Sequence, residues 1–98
     1  MSGHSPSPDH EVRRLREEIA EVDRAIVAAV NARIDLVARL RSYKASQGIP
    51  FLDPDRERQL LDELTAANGG PLSEEGLRQL FAEVLDLTKR EVSGSSSP

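Results

Sequence analysis

The chain has 98 residues, a formal net charge of −4, an aromatic content of 3% and no cysteine. This length predicts one small domain, and the lack of cysteine excludes disulfides and thiolate metal sites. The negative charge and scarce aromatic residues argue against nucleic-acid binding. His4 and His10 lie in or beside a polar N-terminal tail, so we expect no metal and no catalytic histidine. No segment has the length of a membrane span, and we therefore expect a cytoplasmic protein.

The first predicted element is one long helix. Residues 1–8 are polar and rich in Ser and Pro, which predicts a disordered tail. From Pro8 or Asp9 to Ala45 there is no internal glycine or proline. Apolar side chains recur along this stretch in alternating steps of four and three, as in a heptad seam. They are Leu15, Ile19, Val22, Ile26, Ala29, Leu36 and Leu40.

Two shorter helices follow. Gly48 and Pro50 end the first helix, and Asp53 with Pro54 forms an N-terminal cap for the second. The second helix ends at the segment Asn68-Gly69-Gly70-Pro71, and Ser73 caps the third. We expect a domain over residues 9–92 and a disordered tail over residues 93–98. The fold class is all-α, with three helices, one long and two short.

The length of the first helix predicts a dimer. About 35 residues span roughly 50 Å at about 1.5 Å per residue, whereas a globule of this size has a radius of gyration of about 13 Å. The two short helices cannot cover such a seam from end to end. We therefore expect the long helix to pack against a second copy of itself, giving a helical homodimer.

Two cations occupy the apolar seam. Arg33 fills the slot between Ala29 and Leu36, and Lys44 lies four residues beyond Leu40. On a helix, Arg33 and Lys44 point within about 20° of each other and lie about 16 Å apart. Such a pair serves either to bind buried acids or to hold an anion. Arg16 lies about 25 Å from Arg33 on another face, so it could reach the same anion only from a partner chain.

An ordered set of motifs over residues 12–92 resembles the AroQ-type, all-helical chorismate mutase family. Each motif alone is weak, but their order and spacing are specific. The resemblance implies an intertwined homodimer that rearranges chorismate to prephenate in phenylalanine and tyrosine biosynthesis, with no cofactor. The motifs are Leu15-Arg16-Glu17-Glu18-Ile19, Asp23, Asn31-Ala32-Arg33, Tyr43-Lys44-Ala45 and Asp53-Pro54-Asp55-Arg56-Glu57.

The resemblance also implies roles for individual side chains. Arg33 of one chain and Arg16 of the other would clamp the two carboxylates of chorismate, and Lys44 would donate to the ether oxygen and to a carboxylate. The substrate hydroxyl would bind Glu57 and the backbone of Asp53. Two further residues are expected at the site: Arg56, which would orient its neighbours, and Thr88, which would lie near a carboxylate.

The third helix departs from the family pattern. Val92 stands where many members carry a glutamine or glutamate, and Lys89 stands where an apolar wall is common. Three explanations compete. In the first, the helix shifts its register so that Glu91 or Lys89 reaches the site. In the second, the enzyme is weak without a partner such as DAHP synthase. In the third, the substrate differs from chorismate.

Alternatives to these assignments exist at two levels. Within the fold, the protein could be a mutase that acts on 4-amino-4-deoxychorismate, a pyruvate-lyase that acts on isochorismate, or a weakly active regulatory dimer. At the level of residues, Arg33 and Lys44 could extend from the seam to water, and Arg16 could belong to a solvated basic run. The remaining residues also have structural explanations: Asp53 as an N-cap, Glu57 as a partner of Arg56 or Arg58, and Thr88 as a core threonine.

Overall fold

The computed structural model describes residues 8–95 and contains three α-helices in that range. They are α1 (Pro8–Ser46), α2 (Pro54–Ala67) and α3 (Glu74–Ser95). Residues 8–95 include no strand, which confirms the all-helical prediction. None of the helices in this part of the chain is long and apolar enough to cross a membrane. The expected disorder of residues 1–7 and 96–98 lies outside the described residues, and Pro8 already belongs to α1.

Helix α1 ends where the sequence predicts, through a glycine in the left-handed region. Gly48 has a φ of 70°. Its amide donates to the carbonyl of Ala45 at 3.3 Å, and the amide of Ile49 donates to the carbonyl of Lys44 at 2.8 Å. These two bonds form a Schellman motif, which satisfies carbonyls that the last turn would otherwise leave without donors.

The starts of α2 and α3 are set by side-chain caps. The carboxylate of Asp53 accepts from the amide of Arg56 at 3.0 Å, and Pro54 occupies the first turn of α2. The hydroxyl of Ser73 accepts from the amide of Gly76 at 3.0 Å. The end of α3 differs from the expectation, because the helix continues past residue 93 to Ser95. Adding a residue to an existing helix gains a backbone hydrogen bond, so a polar composition alone did not end it.

The chain divides into two compact units, residues 1–32 and residues 33–98. In the described part of the first unit, five apolar side chains of α1 are between 44% and 59% exposed: Val12, Leu15, Ile19, Val22 and Ile26. We call these residues the exposed seam. On the same helix Arg14 pairs with Glu11 at 2.6 Å and with Glu18 at 2.9 Å. The hydrogen bonds that Arg14 donates to Glu11, and the negative charge of Glu18, raise the pKa of Arg14.

The second unit holds the small core of the described chain. Helices α2 and α3 pack against each other, and the apolar residues Leu77 and Val92 of α3 are buried. Arg41 of α1 lies 5.6 Å from the centre of the Phe51 ring and donates to the carbonyl of Val92 at 3.3 Å. These contacts tie the C-terminal part of α1 to the segment before α2 and to α3.

Candidate functional site

A cavity of about 400 Å³ lies in the second unit. This volume falls within the range of small-molecule binding sites, about 300–1,000 Å³. Its lining comes from α1, α2, α3 and the segment between α1 and α2. Most of the wall is apolar, formed by Val37, Leu40, Phe51, Leu52, Leu60, Leu64, Phe81 and Leu85.

The polar part of the lining carries an excess of positive charge. Four cationic side chains and two carboxylates face the cavity, which leaves two positive charges in excess, although the whole chain has a net charge of −4. Apolar walls weaken the screening of these charges by water. The arrangement therefore favours a small, doubly negative ligand. The charged residues are Arg33, Lys44, Asp53, Arg56, Glu57 and Lys89.

Thr88 fixes the guanidinium of Arg33. The threonine is only 2% exposed, and its hydroxyl accepts from Nη1 of Arg33 at 2.7 Å. The same hydroxyl donates its single proton to the carbonyl of Val84 at 2.6 Å. Because that proton is already used, Thr88 has none left for a ligand in this arrangement. Its hydroxyl instead holds Arg33 in place.

Glu57 and Lys89 form an ion pair at the cavity wall. Nζ of Lys89 lies 2.9 Å from Oε2 of Glu57, and the two side chains are 35% and 33% exposed. The neighbouring arginines of α2 pair elsewhere, Arg56 with Glu63 at 3.4 Å and Arg58 with Asp55. Glu57 is thus paired with a cation of α3, and its second carboxylate oxygen has no hydrogen-bond partner assigned within the described chain.

Lys44 and Asp53 occupy the end of the cavity near the start of α2. Nζ of Lys44 donates to the carbonyl of Phe51 at 3.3 Å, which leaves two of its three protons for other acceptors. Asp53 caps α2 and also lines the cavity, so both interpretations of this residue apply. Its carbonyl accepts from the amide of Glu57 at 3.1 Å.

The predicted site residue Arg16 does not line this cavity, and neither does Val92, the position that departs from the family pattern. Arg16 is exposed in the first unit, where it lines a shallow groove with Val12, Arg13 and Glu17. Within the described chain it forms no ion pair. Val92 is 2% exposed and belongs to the core. The structure therefore brings together six of the seven predicted site residues: Arg33, Lys44, Asp53, Arg56, Glu57 and Thr88.

Lys89 was expected to reach the site only through a shift in the register of the third helix, but the sequence also held a direct signal for its position. Phe81, Leu85 and Thr88 all line the cavity and precede Lys89 by eight, four and one residues. Positions separated by four or eight residues share one helix face, so the register of α3 already placed Lys89 beside them. Of the two side chains proposed to reach the site, Lys89 lines the cavity, whereas Glu91 is exposed and does not.

The fold and the cavity define an all-helical domain suited to binding a small dianion. The sequence model of the family described as chorismate mutase type II matches residues 15–92 of this chain. The chain therefore belongs to that family of isomerases.

Related proteins agree with this assignment. A 4-amino-4-deoxychorismate mutase of Streptomyces venezuelae is 33% identical over 78 residues, which cover 78% of this chain and 75% of that protein. A bifunctional chorismate mutase/prephenate dehydratase of Aquifex aeolicus is 29% identical over 79 residues, covering 76% of this chain. The matched part spans only 22% of the length of the Aquifex protein.

Solved structures show the same fold. Form I of the chorismate mutase of Thermus thermophilus superposes with a TM-score of 0.77 at 35% identity, covering 80% of this chain and 98% of that one. Form II gives a TM-score of 0.80 at 32% identity, covering 85% and 94%.

Proposed function

We propose that the protein is a chorismate mutase that converts chorismate to prephenate for phenylalanine and tyrosine biosynthesis. The observation that carries this proposal is the cavity with two positive charges in excess. Chorismate carries two carboxylates, so its charge is complementary to that of the cavity. Family membership supports the same substrate class.

The reaction requires shape and charge, and no covalent participation by the protein. Within one molecule the carbon–oxygen bond of the ether breaks while a carbon–carbon bond forms, and no proton or electron leaves. The substrate must adopt a compact chair with its reacting ends close together, and holding this conformer lowers the entropic part of the barrier. Negative charge develops on the ether oxygen, so a prepositioned cation there stabilises the transition state more than the ground state.

The side chains of the cavity suit these tasks. We assign Arg33 to a substrate carboxylate, which its planar guanidinium can bind through two parallel hydrogen bonds. Thr88 holds this guanidinium before the substrate arrives, so it acts as a positioning residue. Lys44 would donate to the ether oxygen and a carboxylate, and Glu57 with the Asp53 backbone would bind the substrate hydroxyl. Arg56 would orient its neighbours, and it adds positive charge to the lining of the cavity.

We also propose that the active protein is an intertwined homodimer. The exposed seam supports this, because a monomer would leave five large apolar side chains of one helix in water. In the dimer, Arg16 of one chain would complete the site of the other by binding the second carboxylate. Its exposure and the lack of an ion pair within the described chain leave its guanidinium available for such a contact.

A direct assay tests the proposed activity. Purified protein should consume chorismate, followed by its absorbance, and form prephenate. Arg33→Ala should lower kcat/KM by several orders of magnitude with little change in Tm. Arg39→Ala is the matched control, since Arg39 is exposed on the same helix and does not line the cavity. Unchanged turnover by Arg33→Ala would show that the carboxylate clamp is misassigned.

A second candidate substrate is 4-amino-4-deoxychorismate. The similarity to the Streptomyces mutase that is named for this compound favours it. The carboxylate of Glu57 could accept a hydrogen bond from an ammonium as well as from a hydroxyl. Comparing kcat/KM for the two substrates decides between them.

We further propose a cytoplasmic enzyme whose activity rises with a partner such as DAHP synthase. Support for a partner comes from the departure of α3 from the family pattern at the cavity wall, where Lys89 stands in place of a commonly apolar residue. Adding DAHP synthase to the chorismate assay should raise kcat/KM, whereas an unchanged value would argue against this partner.

A further inference from the structure

The ion pair between Lys89 and Glu57 bears on which substrate the cavity accepts. We propose that Lys89 makes the cavity prefer a neutral hydroxyl over an ammonium group at the substrate position that Glu57 binds. Lys89 is thus a specificity-determining residue that favours chorismate over its amino analogue, 4-amino-4-deoxychorismate. This inference rests on the proposed function, because it concerns the substrate group that faces Glu57.

Geometry limits how far a bound group can lie from the lysine. Nζ of Lys89 is 2.9 Å from Oε2 of Glu57. A donor that binds a carboxylate oxygen lies about 2.8 Å from it, and the two oxygens of one carboxylate are about 2.2 Å apart. Any group that donates to Glu57 in this arrangement therefore lies within about 8 Å of the lysine nitrogen, even when it binds the other oxygen. That distance is about one Debye length at physiological salt, so screening is incomplete.

The charges around Glu57 make this proximity matter. The positive charge of Lys89 already offsets the negative charge of the Glu57 carboxylate, and three further cations line the same cavity. An aliphatic amine is protonated near neutral pH and would add a positive charge to a cavity with two in excess. A hydroxyl makes the same hydrogen bond to Glu57 without that charge. Two like charges about 8 Å apart, at an effective dielectric constant of about 20–40, disfavour binding by roughly fivefold to thirtyfold.

The experiment measures a ratio of specificities. The kcat/KM values for chorismate and for 4-amino-4-deoxychorismate are determined for the full chain and for three variants. Lys89→Met removes the charge and keeps an unbranched stem of similar size. Lys89→Arg keeps the charge. Arg90→Met is the matched control, since Arg90 is the next residue of α3, is exposed and does not line the cavity.

We expect the unaltered protein to prefer chorismate. Lys89→Met should shift the ratio towards the amino substrate by about fivefold to thirtyfold. Lys89→Arg should retain the original ratio, and Arg90→Met should not change it. A loss of stability alone would lower both kcat/KM values by one factor and leave the ratio constant.

Several outcomes would overturn the inference. One is an unaltered protein that prefers the amino substrate, and another is a ratio that Lys89→Met does not change. Both would leave the mutase chemistry intact, whereas turnover of neither substrate would refute the proposed function together with the inference. Circular dichroism checks the helix content of each variant. If Lys89→Met does not fold, Lys89→Gln provides the same test of charge.

Discussion

Replacing Thr88 by valine removes the hydroxyl that holds Arg33 and keeps a β-branched side chain of similar size. Thr88 is 2% exposed, so no water can readily take the place of its hydroxyl. The lost bond, 2.7 Å long, has a charged donor. Hydrogen bonds to charged groups contribute about 1.5–3 kcal/mol. If all of this stabilisation held Arg33 in its binding position, kcat/KM would fall by about 10- to 150-fold.

The effect on stability should be smaller. The carbonyl of Val84 loses the proton of Thr88 but remains an acceptor for the helical amide four residues later. We therefore expect a loss of about 1 kcal/mol in the free energy of unfolding, measured by urea denaturation. Thr88→Ser keeps the hydroxyl and should retain most of both activity and stability.

A double-mutant cycle distinguishes two roles for Thr88, the positioning of Arg33 and direct contact with the substrate. If Thr88 acts through Arg33, Thr88→Val should cost little activity in an Arg33→Ala background, because no guanidinium remains to be held. The assay is the initial rate of chorismate loss for all four combinations. If Thr88→Val lowers kcat/KM by the same factor in both backgrounds, Thr88 contacts the substrate itself. A Thr88→Val single variant with unchanged kcat/KM would refute the positioning role.

Three further predictions concern the dimer and the third helix. Mixing Arg16→Ala and Arg33→Ala homodimers should restore one working site per heterodimer, measured as regained activity, and no recovery after proven subunit exchange would refute a shared site. Ile19→Asp places a charge in the exposed seam and should yield monomers in size-exclusion chromatography with light scattering, while an unchanged dimer would place the interface elsewhere. Val92→Gln buries an amide in the core, so it should cost about 1–3 kcal/mol of stability without raising kcat/KM. A large rise in kcat/KM would instead place residue 92 against the substrate.

The local sequence contained enough information for the three helices and for all of their ends except the C-terminal end of α3. Capping depends on residues within four positions of each other, as with Asp53 and the amide of Arg56 or Ser73 and the amide of Gly76. The end of α3 was misplaced because serine and glycine lower helix propensity without stopping a helix that is already formed. The ordered spacing of Arg33, Lys44 and Glu57 along the chain also carries the family resemblance, and that resemblance implies an anion site.

Tertiary structure decided the contacts among these side chains. Arg33 and Thr88 are 55 positions apart, and only the packing of α3 brings the threonine hydroxyl to that guanidinium. The same packing pairs Lys89 with Glu57 and buries Val92 in the core. Helix periodicity gives the face on which a side chain lies, but the partner it meets depends on how two helices pack. Those distances are fixed by apolar contacts between segments far apart in the chain, which no local pattern encodes.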